Sequence, residues 1–235
     1  MIGTLINVVT ILVGSFLGLL LRRGMKASIG DTVMQGLALC TMLIGLQGAL
    51  KTQNMLLVIL SMVVGGVAGS LLDIGDKMDK LGAYAQRKLA RTAGEGGQSS
   101  TFAQGFVTAS LVFCVGAMAV VGALDSGIRG DHSTLIAKSA LDGVAALVFA
   151  STLGPGVMLS VVPVFVYQGA IALLGNLIAP LLSEQVVLEM SAVGGLLIVG
   201  IGINMLFHKD LKVANLLPAI FVPFLYFPLA RLLGL

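Results

Sequence analysis

The sequence contains no tryptophan, two cysteines and little charge: Asp, Glu, Lys and Arg make up 11% of its 235 residues, whereas 57% are apolar. Ordinary soluble domains carry about a quarter charged residues. A soluble fold of this size cannot hide so much apolar surface, because most of a domain's surface must face water. That scarcity of charge excludes a soluble enzyme, a nucleic-acid-binding module and a disordered chain. The two cysteines, Cys40 and Cys114, lie inside apolar runs without CxxC spacing. They read as small packing residues rather than as a redox or metal motif. Without tryptophan, any interfacial aromatic belt must use Tyr and Phe. Catalytic signatures are missing as well: no HExxH, no GxSxG and no P-loop. Neither an enzyme nor a cofactor is indicated. Asp125, Asp131 and His132 share one loop and read as a solvated loop before a metal site, and His208 lies in a loop on the opposite side.

What is present is a series of eight apolar segments, approximately 1–21, 33–50, 55–72, 103–124, 134–153, 156–182, 190–207 and 212–234. A bilayer core of about 30 Å needs about 20 helical residues. The fold class is therefore all-α: a polytopic transmembrane bundle of about eight helices, forming a single transmembrane domain over 1–235. None of the runs alternates as a lipid-facing barrel strand would. The first segment lacks a basic stretch before it and carries Arg22, Arg23 and Lys26 after it, the pattern of a retained helix rather than a signal peptide.

The net charge of +3 follows the loops. If the connections after segments 1, 3, 5 and 7 are cytoplasmic, that side holds Arg22, Arg23, Lys26, Lys77, Lys80, Arg87, Lys88, Arg91, Lys209 and Lys212. The other side holds Lys51, Arg129, Lys138 and Arg231. This asymmetry places both termini outside. The one long connection, 73–102, begins with Ile74, Met78, Leu81, Ala85 and Leu89 on one helical face, as in a surface-lying amphipathic helix or a solvated linker. Gly94–Thr101 is polar and Gly-rich.

Segments 1–3 and 6–8 can be laid over one another. At a shift of 161, Asn7 meets Gln168, Gly14 meets Gly175 and Asn54 meets Asn215; at 157, Gly45 meets Gly202 and Gln47 meets Asn204. The shift changes only in loops. With five segments before the second copy, the two copies run oppositely, as in the inverted repeats of many transporters. Apolar, Gly-rich helices also align by chance, so the pairing is an expectation: a first half at 1–72, a central pair at 103–155 and a second half at 156–235.

Polar groups inside the apolar spans supply the candidate site. Asp142 lies about 12 Å into segment 5, and a charge there costs on the order of 2.5–3.5 kcal/mol. Lys138, one turn away, can pair with it or reach the surface; Ser139 lies between them. Asn7, Gln47, Gln168 and Asn204 are amides that must face protein or water. Pro163 falls within a segment of about 40 Å, which must tilt or break and could there free carbonyls for a cation. Small residues, including the Gly14–Gly18 GxxxG, point to close helix contacts within one chain or in a homo-oligomer.

The run Phe113-Cys114-Val115-Gly116-Ala117-Met118, then Gly122-Ala123, then Ala137-Lys138-Ser139-Ala140-Leu141-Asp142, resembles the YdfK/YqgA-like membrane proteins of bacteria. So do Ser191–Leu196 and Asn215–Ala219. The resemblance spans nearly the whole chain. It implies a helical, multi-pass protein of the bacterial inner membrane, a family labelled by a domain of unknown function with no agreed substrate. Two functional expectations follow from the residues. The first is a transporter or channel-like permease for an ion or small solute, with Asp142 as coupling or cation-binding group. The second is a non-transporting scaffold or sensor acting through 73–102. The partners are the bilayer and that ion or solute, not nucleic acid.

Overall fold

A computed structural model describes residues 1–24, 27–77, 80, 84, 99–115, 117–207, 209 and 211–233. Among these residues the chain is helical, with no strand. The elements are α1 (Ile2–Gly24), α2 (Ala27–Ala49), α3 (Met55–Leu71), α4 (Ser99–Cys114), α5 (Ala117–Leu124), α6 (Ser133–Leu153), α7 (Gly156–Leu159), α8 (Val161–Leu173), α9 (Gly175–Ile178), α10 (Glu184–Phe207), a 3-10 helix at Val213–Phe221, and α11 (Val222–Leu233).

Among the described residues, six helical stretches are long and apolar enough to cross a membrane. The fourth apolar segment is a pair of helices bent by 58° near Val115, and the third is the 17-residue helix Met55–Leu71. All eight segments read from the sequence are accounted for in this way. The amphipathic helix expected at 74–91 and the polar run 94–101 lie largely outside the described residues.

Local chemistry sets the ends. Asn54 caps α3, its Oδ1 accepting the Leu57 N–H at 3.1 Å. Gly154, with φ 83°, ends α6, and Pro155 cannot continue it. The sixth segment breaks at Ser160, three residues before Pro163, and again at Leu174; Pro163 occupies the first turn of α8, where its missing N–H has no helical acceptor to lose. Pro218 lies inside the 3-10 stretch that opens the last segment.

Glycines fix how the helices meet. A Cβ on Gly14 would lie 2.1 Å from the Gly143 carbonyl oxygen, and one on Gly18 2.2 Å from that of Leu147. Position numbers rise together along this contact, so α1 and α6 run parallel. α2 and α10 run antiparallel: a Cβ on Gly45 would stand 2.6 Å from Gly195 O and 2.7 Å from Val199 N, and one on Gly202 3.0 Å from Ala38 O and 3.1 Å from Met42 N. Subtracting 157 turns Gly202, Gly195 and Val199 into Gly45, Ala38 and Met42, so the two sets of contacts exchange under a single shift. α3 packs antiparallel on the 3-10 helix, with Gly69 against Asn215 and Gly65 against Ala219. The core centres on Phe113 and Phe149, whose rings sit 6.0 Å apart, with Leu153, Val157, Leu197 and Ile198 around them. Leu5, Val9, Val13 and Phe16 on α1 and Leu56, Ile59 and Val63 on α3 are exposed, as lipid-facing side chains are.

Two ends of the bundle can be named by their residues. Arg22, Asp73, Gly154 and Lys209 mark the Arg22 end; Thr52, Gly130 and Ser183 mark the Thr52 end.

Candidate functional site

Three helices bring four polar side chains together in the middle of the bundle. α6 supplies Lys138 and Asp142, each 6% exposed; α1 supplies Asn7 and α8 supplies Gln168, both fully buried. The four-residue spacing on α6 stacks the ammonium over the carboxylate. Lys138 Nζ donates to Asp142 Oδ2 in an ion pair. Asn7 Nδ2 donates to the same oxygen at 3.0 Å and reaches Gln168 Oε1 at 3.3 Å. Asn7 Oδ1 and Gln168 Nε2 are buried without a partner. One acceptor and one donor are thus left open beside a desolvated ion pair. Each unmet group costs about 1–3 kcal/mol, which a bound water or a polar ligand with both functions would remove.

The structure separates the other expected residues from this cluster. Ser139 is buried but turns its hydroxyl back to Leu135 O at 2.6 Å, so it contributes nothing to the pair. Lys138 does not reach the surface; its ion pair holds it inside. Gln47 is exposed on α2 and does not join Asn7 and Gln168. Asn204 holds the turn after α10, donating to Leu211 O at 2.8 Å and accepting from Leu211 N at 2.9 Å. Pro163 lines an apolar chamber rather than a set of freed carbonyls. In the loop at the Thr52 end Asp125 pairs with Arg129 at 3.1 Å, and His132 Nδ1 meets Ser126 Oγ at 2.8 Å. The Ser133 backbone N–H, donating to Asp131 at 2.9 Å, holds that carboxyl below its usual range. Among the described residues no cluster suits a metal. His208 lies outside them.

A second buried carboxylate, Glu189, escapes the sequence reading, which leaves Asp142 as the sole acid within a span and starts its seventh segment at 190. α10 in fact begins at Glu184, and Glu189 is fully buried. It accepts the Thr52 hydroxyl at 2.6 Å, Gln53 N at 2.7 Å and Asn54 N at 3.0 Å. The signal was the apolar spacing of Val186, Met190, Val193 and Leu197, which extends the helix upstream past Glu189.

Two cavities open in the protein, and Asp142 lines neither. A polar one of about 590 Å³ lies at the Arg22 end, lined by Asp73, Asp76, Gln104, Asn204, Lys209 and Lys212. Thr108, whose buried hydroxyl has no partner, lines it too. An apolar chamber of about 260 Å³ runs past Cys114, Pro163 and Tyr167. Val107 borders both. Tyr167 directly precedes Gln168, so the chamber ends beside the polar cluster.

Long apolar helices, a lipid-facing outer layer and a charged pair sealed between helices define a multi-pass helical membrane protein. The chain belongs to the family described as "Protein of unknown function (DUF554)", which it matches over residues 2–227. It is 30% identical over 229 residues to the "Uncharacterized membrane protein YdfK" of Bacillus subtilis (strain 168), covering 95% of this chain and 94% of that one. It is 32% identical over 219 residues to the "Uncharacterized protein YqgA" of Escherichia coli (strain K12), covering 93% of each. No solved structure matches it.

Proposed function

We propose that this protein is a permease for a cation or small polar solute in the bacterial inner membrane, with both termini outside, and that Asp142 is its coupling group. The observation that carries this reading is the composition of the buried cluster. Asp142 already holds a cation, the Lys138 ammonium, on the oxygen that Asn7 also binds. On this reading a cation or proton taken up at that oxygen displaces Lys138. Such a site has two exclusive occupancies, as coupled transport requires. Asn7 Oδ1 and Gln168 Nε2 supply the spare acceptor and donor for the incoming ligand. Neither the polar cavity at the Arg22 end nor the apolar chamber is lined by Asp142, and the polar cavity is the proposed approach to it.

The sealed ion pair also favours a second reading, a scaffold in which Lys138 and Asp142 lock α6 in place. Flux separates the two. Purified protein in liposomes, given a panel of monovalent cations and a pH gradient, is expected to dissipate at least one gradient, and Asp142→Asn to abolish that flux. Unchanged flux in Asp142→Asn removes Asp142 from the mechanism. A wild-type protein inert to the whole panel favours the scaffold.

A further inference from the structure

The polar cavity and the apolar chamber share their walls. On α4, Gln104 and Thr108 line the cavity, Phe106 and Leu111 line the chamber, and Val107 lines both. On the 3-10 helix, Asn215 belongs to the cavity, and Leu217 and Ile220 belong to the chamber. On α10, Asn204 lines the cavity, and Ser191, about four turns nearer the Thr52 end, lines the chamber. The same three elements therefore carry a polar lining at the Arg22 end and an apolar one further into the bundle.

We propose that the two cavities form one lipid site, which holds an anionic phospholipid with its head group in the polar cavity and one acyl chain in the apolar chamber. The inference goes beyond the permease reading and does not rest on it. Orientation is the first ground for this occupant. With its polar part at one end of the bundle and its apolar part toward the middle, a ligand that fills both lies as a lipid of the leaflet on the Arg22 side lies. Charge is the second. Lys209 and Lys212 line the polar cavity together with Asp73 and Asp76, and Asp76 is paired with Lys80. With Asp76 neutralised in this way, two ammonium groups outnumber the remaining carboxylate of that lining, Asp73, and suit a phosphate. The third ground is an unmet hydrogen bond. Thr108, next to Val107, is 1% exposed, and its hydroxyl has no partner among the described residues. A hydroxyl at that point can donate to an ester or phosphate oxygen, the atoms found where head group meets chain.

The chamber itself offers only hydrocarbon. The two serines that line it turn their hydroxyls to their own helices, Ser110 to Phe106 O at 2.6 Å and Ser191 to Val187 O at 2.7 Å. An apolar cavity of about 150 Å³ stays dry and takes a benzene-sized molecule. At about 260 Å³, the chamber takes a segment of one chain rather than two. Phe221 lines it and is exposed, so its mouth opens toward lipid and the second chain stays in the bilayer.

Native mass spectrometry of delipidated protein, titrated with phosphatidylglycerol or with phosphatidylcholine of the same chains, tests the site. One phosphatidylglycerol is expected to bind saturably and about tenfold more tightly than phosphatidylcholine, because the basic lining favours net negative charge. Lys209→Gln with Lys212→Gln should remove that preference. Ser110→Phe, which fills the chamber from α4, should weaken binding of both lipids; Ser191→Phe fills it from α10 and serves where the first variant does not fold. Lysophosphatidylglycerol, with a single chain, should bind about as tightly as the two-chain lipid. Equal binding of the two head groups by the wild type marks adventitious lipid only and overturns the site. So does lipid binding that is unchanged in every folded Ser110 or Ser191 variant, or lost when one chain is removed. The readout is binding, so a failure of the permease reading in flux measurements leaves this result in place, and the two failures are told apart.

Discussion

At the scale of single residues, the decisive feature is that Asp142 and Lys138 neutralise each other in a place neither could occupy alone. Taking one partner away leaves a buried charge, which costs about 3–5 kcal/mol in comparable pairs. Replacing both by apolar groups of similar volume is often neutral or stabilising. Lys138→Met should therefore lower the unfolding temperature in detergent well below that of the wild type. Lys138→Met with Asp142→Leu should recover most or all of the loss. Strictly additive effects would mean that the two side chains do not interact, contrary to their ion pair. This comparison also bears on function. A double variant that is stable but moves no substrate shows that the pair is kept for something other than stability. The importance of these two residues was legible in the sequence, because a carboxylate deep in an apolar run is costly wherever the helix points. Asn7 and Gln168 were legible as a pair because a shift of 161 lays one on the other. Gln47 and Asn204 misled because an amide near a helix end can face out or bond a turn, and sequence spacing alone does not say which way it faces.

At the scale of helices, small residues decide where two backbones can touch. α1 lies on α6 with Gly14 directly over the Gly143 carbonyl. Gly14→Leu must push the helices apart, and with them Asn7, which sits two turns up the same helix and reaches Asp142. The expected result is a sharp fall in the yield of monodisperse protein and in its melting temperature. Gly36 is the internal control, since a Cβ there meets nothing within 4 Å. Gly36→Ala should leave both measurements unchanged, or slightly raise stability through helix propensity of up to about 1 kcal/mol. Equal losses from the two substitutions would show that the α1–α6 contact is not what the GxxxG provides. The eight apolar stretches and this contact could be read from composition and spacing. The breaks could not be placed as well. Pro163 marks the break at Ser160, three residues before it, but the second break, at Leu174, has no proline to announce it.

For the whole molecule, the helix directions and the charges of the loops constrain one another. α1 and α6 run parallel, whereas α2 and α10 run antiparallel, as do α3 and the 3-10 helix. The parallel pair requires an even number of crossings between its members' starts, and each antiparallel pair an odd number, so the contacts agree with a chain that alternates through all eight apolar segments. In this arrangement Arg22, Lys77, Lys80, Lys209 and Lys212 gather at one end, and Lys51 and Arg129 at the other. Basic loops stay on the cytoplasmic side, so the Arg22 end, with its open polar cavity, faces the cytoplasm under the proposed orientation. An even number of crossings then returns the C-terminus to the side from which the N-terminus starts. A C-terminal alkaline phosphatase fusion is expected to be active in cells and a C-terminal green fluorescent protein fusion dark, whereas a fusion placed after Asp76 should show the reverse. A fluorescent C-terminal fusion would mean either that one apolar segment, most simply the short Met55–Leu71, does not cross, or that the basic loops face outward. A further fusion after Gln53, before Met55–Leu71, separates these. The fusions after Gln53 and Asp76 report opposite compartments if Met55–Leu71 crosses, and the same compartment if it stays on one side of the membrane.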